Sequence, residues 1–540
     1  MKSDVVVNSI KEVVLACQHA GLKVWALICD QGTPNVAAIN KMYKYTAEEY
    51  IRNGEENRLF GVKIGEQEVI PLYDPPHLLK CIRNNFFMYQ VSFKWRNSGT
   101  EVANWDHLRK LFEIENQEDD EYRCCKKLTR DHIENTKKMK VSMAAQIFSN
   151  NVASVMKRMA TRGNVVADLN YLPQGAVSTA EFLLFMDYVF DSVNGSYVSI
   201  KKGKTLKCAI TKSTGHKTFW AEAIKVFSSM EFSSGSKTHI VPPSIKNWMH
   251  TLKAFSYLWY KCEKENIAFL CPRNLNQDPL ENFFGSVRSH GVRNISPNAT
   301  SFVNSLKSLV INNFLASHSR SANCQNDNLK GLDDLKHMLT SLEPVIEVDV
   351  SFPNVIVPEY QPAHNSLLKR GKLTYVAGFV AKKVLKRIGI CKQCRQDLVG
   401  DDRSRAECFI VDARAYSAKA LLAPSTNFNE FFQKCIFIMS NILPQICHSQ
   451  NITTLIKKIL NELCKEKIFC CNKHDVKKLI CDYISVFHLN VWIKNVNAIL
   501  KGKQVINKSS IDRLKIYASK KFEKHRNYCS RVRRMKNIQH

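Results

Sequence analysis

The apolar pattern begins as a helix: Val5, Val6, Ile10, Val13, Val14 and Ala16 recur at helical spacing over residues 5–20, and Gly21 ends the run. Val24-Trp25-Ala26-Leu27-Ile28-Cys29 is then continuously apolar over a strand's length, the pattern of a strand buried on both faces. It stops at Asp30-Gln31-Gly32-Thr33-Pro34-Asn35, a turn that opens a helix over Val36–Tyr45. A second strand is predicted at 66–73, bounded by Asp74-Pro75-Pro76, and a basic amphipathic helix starts at His77. From about 100 to 262 the pattern is helical throughout, without a convincing strand. Its clearest helices are Met139–Met159 and Thr179–Val193, the latter closed by Asn194-Gly195. Another helix starts at Pro242-Pro243-Ser244, with Trp248, Phe255, Trp259 and Tyr260 expected in the core.

The stretch 274–290 carries an apolar stripe at helical spacing, Leu280, Phe283, Phe284 and Val287. Pro279 suits its first turn, with Asp278 just before and Glu281 just inside. Acids at a helix N-terminus are ordinary capping groups, and Glu281 is also a plausible metal ligand if it faces a sheet. Helix resumes at 302–316, 374–388 and 427–500, and residues 319–362, polar and then acidic with Pro353, Pro358 and Pro362, read as a linker. Residues 501–540 hold thirteen Lys and Arg against Asp512 and Glu523, the composition of a mobile basic arm. The expected division is thus 1–95, 96–262, 263–318, a linker at 319–366, a helical region at 367–500 and the tail.

Charge narrows the class. A net charge of +29 favours a polyanionic partner, because each Lys or Arg placed on a phosphate releases a counterion. No apolar run reaches spanning length, so a membrane is not expected, and the N-terminus lacks a convincing signal peptide. The 19 cysteines therefore read as thiols or metal ligands of a nuclear, nucleic-acid-facing protein. Asp30, at the end of a buried strand, stands where open α/β sheets place their chemistry, and position alone leaves it equally a turn residue or helix cap.

Five strings in order then carry a family likeness: Ile28-Cys29-Asp30-Gln31-Gly32-Thr33-Pro34-Asn35, Tyr73-Asp74-Pro75-Pro76-His77-Leu78-Leu79-Lys80, Val141-Ser142-Met143-Ala144-Ala145-Gln146-Ile147-Phe148-Ser149, Phe190-Asp191-Ser192-Val193-Asn194, and Asn276-Gln277-Asp278-Pro279-Leu280-Glu281-Asn282. Tyr375-Val376-Ala377-Gly378 followed by Cys391-x-x-Cys394 extends it. Together they resemble the P-element family of DNA transposases, including its vertebrate relatives with an N-terminal THAP-type zinc finger. The resemblance implies an α/β, RNase H-like catalytic fold interrupted by a mainly α-helical GTP-binding insertion and followed by a helical C-terminal region. It also implies Mg²⁺-dependent DNA cleavage and strand transfer at transposon ends, with GTP as a bound cofactor, and a homo-oligomer is a further expectation.

By the same match, Asp30 is similar to the family's second catalytic Asp and Glu281 to its catalytic Glu, both Mg²⁺ ligands. Asp191 and Asn194 resemble its guanine contacts, and Asp278 the residue linked to the GTP-bound Mg²⁺. Lys138 or Lys140 is a candidate phosphate contact; no Walker-type loop is present, so GTP is expected as a bound cofactor and not a hydrolysed fuel. The family's first Asp has no counterpart: Asp4 lies ahead of a helix, and the zinc finger is missing too. The expectation is a truncated, inactive transposase, or a domesticated protein that binds nucleic acid and GTP without catalysis. Separately, Cys391-x-x-Cys394 and Cys471-x-x-His474 have the spacing of two half-sites for Zn²⁺, with free buried thiols as the alternative. Cys124-Cys125, among charged residues, reads as incidental.

Overall fold

The computed structural model describes residues 3–96, 99–116, 122–134, 137–162, 172–200, 203–234, 239–289, 296–315, 355–361, 366–415, 421–449, 451–464, 468–506, 510 and 512–538. The predicted linker falls mostly outside these. The chain folds as two compact units, one of residues 1–78, 209–213 and 250–349, the other of 79–208, 214–249 and 350–540.

The first unit is built on a three-stranded sheet in the order β1 (Ala26–Cys29), β3 (Gln67–Tyr73), β2 (Val62–Ile64). β1 and β3 run parallel, Cys29 opposite Tyr73, while β2 returns antiparallel to β3. β1 and β3 are the two apolar runs read as strands. The crossover between β1 and β2 is α2 (Thr33–Arg52), which starts with Gly32 at its N-cap and Pro34 in its first turn. α1 (Ser3–His19) packs beside α2. Pro71 sits in the central strand, where it has no N–H for the ladder; its carbonyl instead accepts from His250 Nε2 at 3.0 Å. His250 also stacks on Phe60 at 5.7 Å, and the Thr251 hydroxyl accepts from the Tyr73 N–H. The helix over Pro243–Lys264 is thereby keyed onto β3 from His250 onward.

The second unit contains strands that the apolar pattern did not predict. A four-stranded antiparallel sheet runs β5 (Glu101–Ala103), β4 (Gln90–Phe93), β6 (Glu231–Ser233), β7 (His239–Ile240). Each has only two to four residues, too few for an alternation to register against the helices around them. The predicted helix at Met139–Met159 is two, Val141–Ile147 and Asn150–Arg162, broken at Phe148 and Ser149. The Ser149 carbonyl and hydroxyl both accept from Val152, so the residue that ends one helix starts the next. Asn150–Arg162 packs on Ala176–Ser192 over an aromatic core in which Phe86, Phe148 and Phe182 meet edge to face or tilted.

The C-terminal helices Leu367–Ile388, Thr426–Ile446, Ile452–Leu463 and Val476–Leu500 close around Val380, Phe432, Met439, Ile456 and Ile480. The tail differs from the mobile arm its composition predicts. Arg513–Ile538 is helical, and the buried Asp512 just before it accepts from Trp492 Nε1 at 2.8 Å. Asp512 also accepts from the Leu514 and Lys515 N–H groups at the helix start, and the helix packs on Val476–Leu500. Cys124-Cys125 is not incidental either, since both thiols are buried and both backbone N–H groups donate to the buried carboxylate of Glu115. Among the described residues no helix is long and apolar enough to cross a membrane.

Candidate functional site

In the first unit, acidic side chains gather at the C-terminal ends of the two parallel strands. Asp30 follows β1 and Asp74 follows β3, and the Asp74 N–H donates to the Cys29 carbonyl at 2.8 Å, so the two carboxylates leave adjacent strand ends. Asp30 Oδ1 accepts from the Gly32 N–H at 2.8 Å and from Asn35 Nδ2 at 2.7 Å, which fixes its rotamer. Asp74 is buried. Its Oδ2 accepts from the His77 N–H at 2.9 Å, capping α3 (Pro75–Met88), and its Oδ1 accepts from the Gln277 N–H at 2.8 Å. Burial raises the Asp74 pKa, against the two N–H groups and His77 that lower it, with Asp278 adding repulsion. Between both carboxylates, burial first and then Asp30 and Asp74 push the Cys29 thiol up to about 12, so it stays protonated.

The Gln277 contact brings in the acidic helix, Asp278–Ser289. Glu281 Oε1 stands 3.0 Å from His77 Nε2, hydrogen-bonding distance from the ring, while its side chain stays 60% exposed. Asp278 is paired with Arg273 at 3.8 Å. The structure therefore brings Asp30, Glu281 and Asp278 to one edge, with Asp74 as the link. Sequence reading missed Asp74 as a site residue, although it repeats the signal that singled out Asp30, an apolar strand ending in an acid. Asp4 is elsewhere, on α1, paired with Lys41 at 2.6 Å. The edge is not a closed ligand set: among the described residues, the one group of three or more ligands close enough to hold an ion is Cys391, Cys394, Cys471 and His474.

In the second unit, Asp191 lies at the end of the Ala176–Ser192 helix with only 6% of its side chain exposed. Lys204 pairs with it and with Asp187, and Lys207 reaches it at 3.4 Å. Burial and then the Asp191 charge push Asp187 up to about 6. Burial works against the charge on Lys204, but Asp187 and Asp191 outweigh it and raise its pKa. Asn194 follows one turn later, half-buried, its N–H donating to the Asp191 carbonyl at 3.2 Å. Lys138 and Lys140 are exposed; the Lys138 carbonyl accepts from Arg83, and Lys140 caps Val141–Ile147. The cations that meet Asp191 are Lys204 and Lys207, which sequence reading missed because 78 Lys and Arg offer no contrast.

This carboxylate–lysine cluster lies inside a region, residues 76–207, that matches the TNP-like GTP-binding insertion domain. Residues 274–306, which include the acidic helix, match the TNP-like RNase H C-terminal domain. The Transposable element P transposase of Drosophila melanogaster is 22% identical over 93% of this chain. The chain is similar in sequence to the P-element transposases. It spans 62% of that relative's length. A solved structure, described as the Drosophila P element transposase strand transfer complex, is 20% identical and aligns over 58% of this chain and 64% of its own, with a TM-score of 0.47. The fold is accordingly mixed α/β and mostly helical, a GTP-binding insertion in a chain with an RNase H-like C-terminal part. The family expectation for fold and insertion holds.

Proposed function

We propose that the chain is a nuclear, GTP- and DNA-binding protein of transposase descent. What carries the reading is the buried Asp191, followed one turn on by Asn194, inside the matched insertion. A carboxylate accepts from guanine N1–H and N2–H₂ and rejects adenine, which offers no such donor pair. Lys204 and Lys207 are the cations beside it. GTP is expected to bind more tightly than ATP, and Asp191→Ala to weaken GTP about 10- to 100-fold, the worth of charge-assisted hydrogen bonds. Calorimetric titration with both nucleotides checks this. Equal affinities, unmoved by the substitution, would remove the guanine site.

The net charge of +29 supports DNA as the macromolecular partner. Mg²⁺ fits the donor set at the strand ends, since Asp30 and Glu281 offer only oxygen at an open edge. Bound there, the ion would polarise phosphate oxygens and lower the pKa of its water. The chain's own residues orient that edge: Gly32 and Asn35 hold Asp30, and Asp74 docks the helix that carries Glu281. The placement at parallel strand ends favours phosphodiester cleavage and strand transfer as a second reading. The commitment of Glu281 to His77 and the open ligand set favour binding without catalysis. The chain is expected to leave duplex DNA intact in Mg²⁺. Cleavage abolished by Glu281→Ala would establish the enzymatic reading instead.

A further inference from the structure

The Cys/His cluster in the C-terminal helical region has no part in either site. Cys391, Cys394, Cys471 and His474 place one ligand atom each within 4.8 Å of all the others. Cys391 Sγ is 3.9 Å from Cys471 Sγ, and His474 Nδ1 is 3.5 Å from Cys394 Sγ and 3.6 Å from Cys471 Sγ. Four ligands around one tetrahedral Zn²⁺, at Zn–S of about 2.3 Å and Zn–N of about 2.0 Å, stand roughly 3.8 Å apart for sulfur pairs and roughly 3.5 Å for sulfur–nitrogen pairs. The cluster has those spacings. They are much longer than a disulfide, at about 2.05 Å. Cys394 belongs to the apolar core and the partly buried Cys391 and Cys471 pack against it, but core packing alone does not turn three Sγ atoms and the His474 Nδ1 towards one point.

We infer that these four residues bind one structural Zn²⁺ through three thiolates and the His474 Nδ1. Binding releases the three thiol protons and leaves a site of net charge −1 in a basic chain. Soft thiolates with one imidazole select zinc over the hard cations that suit carboxylates. With no position left open, the ion holds structure and does not catalyse. Both half-sites are already shaped by the chain. Cys391 caps the seven-residue helix Lys392–Leu398, too short to persist alone, and its carbonyl accepts from Arg395. Asp397 Oδ2 accepts from the N–H of Cys470, next to a ligand, at 3.0 Å. His474 precedes Asp475, whose side chain caps Val476–Leu500 by accepting from Lys478.

The metal therefore ties a short helix to the start of a long one. That long helix carries His488, whose Nδ1 lies 2.7 Å from the hydroxyl of Tyr122 in the insertion domain, and Trp492, which donates to Asp512. Zinc would thus steady the contact between the C-terminal helices and the insertion. The inference does not depend on nucleotide or DNA binding.

The full chain, purified under reducing conditions without chelator, is expected to carry one zinc per molecule by elemental analysis, released by a thiol-specific mercurial. Cys394→Ser and Cys471→Ser should lower the zinc content at least about tenfold, while Cys470→Ser, an exposed neighbour, should keep it. If the ligand variants fail to fold, Co²⁺ exchanged into the wild-type chain decides the matter. A tetrahedral three-sulfur site gives thiolate charge-transfer absorption and intense visible bands, and His474→Cys should retain the metal and shift those bands. Wild-type protein free of zinc despite zinc in the medium, iron in its place, zinc retained in the ligand variants, or a Cys391–Cys471 disulfide in the reduced preparation would each overturn the assignment.

Discussion

Gly195→Ala is expected to destabilise the GTP-binding insertion by about 3 kcal/mol or more, lowering the melting temperature by on the order of 10 °C. The added Cβ would lie 1.9 Å from the Cys208 carbonyl oxygen, 2.5 Å from its carbon and 2.8 Å from its nitrogen. These are backbone atoms, so no rotamer change relieves the clash, and one of the two segments must move. Gly195 is not among the glycines with positive φ, so its role here is close approach and not left-handed backbone. The segment ending at Gly195 carries Asp191 and Asn194, and the one meeting it carries Lys204 and Lys207. Forcing them apart should also weaken guanine nucleotide binding. Gly215→Ala, where a Cβ meets nothing within 4 Å, is the matched control and should cost no more than a changed N-cap of the His216–Ser228 helix, about 1 kcal/mol or less. Melting curves of the two variants check the claim. Gly195→Ala melting within about 1 °C of wild type would refute the close approach.

Gly195 also marks how far the sequence reached. As part of Asn194-Gly195 it read as a helix stop, and the helix does end at Ser192, but its closeness to Cys208 is a tertiary fact with no local signature. Asp30 and the two Cys/His half-sites were legible, because one ends a buried strand and the others have metal spacing. Asp74 ends its strand in the same way, yet Pro75-Pro76 made it read as punctuation. Its second partner, the Gln277 N–H, lies some two hundred residues away. Strands β4–β5 and β6–β7 are hairpins with strands of two to four residues, and what joins them into one sheet is the pairing of β4 with the distant β6, which no window along the chain can display. In the tail, basic composition argued for a free arm, whereas Arg513–Ile538 packs on Val476–Leu500 and the buried Asp512 anchors its start, contacts that composition does not display.

Asp74→Ala should cost the first unit about 2–4 kcal/mol. The loss has two parts, since Oδ2 caps α3 through the His77 N–H and Oδ1 holds the Gln277 N–H at the entrance to the acidic helix. An N-cap deletion costs about 0.5–2 kcal/mol, and a partly buried N–H left without an acceptor about 1–3. Asp74→Asn keeps one acceptor oxygen and turns an amide NH₂ towards the other donor, so its loss should fall between wild type and alanine. The charge supplies an independent readout. Burial raises the folded pKa of Asp74 above its unfolded value, so its contribution to stability is complete below the unfolded pKa and is lost as pH rises through the folded one. Asp74→Asn removes that dependence, and its deficit relative to wild type should shrink as the pH climbs out of the carboxylate range. Hydrogen exchange tests the positioning role itself. In Asp74→Ala the Gln277 amide should lose protection while Ile70 and Leu72 in β3 keep theirs, since the Ile70 N–H donates to the Trp25 carbonyl within the parallel ladder. If Gln277 stays protected, the acidic helix is docked by something other than Asp74, and the link between the strand ends and Glu281 fails.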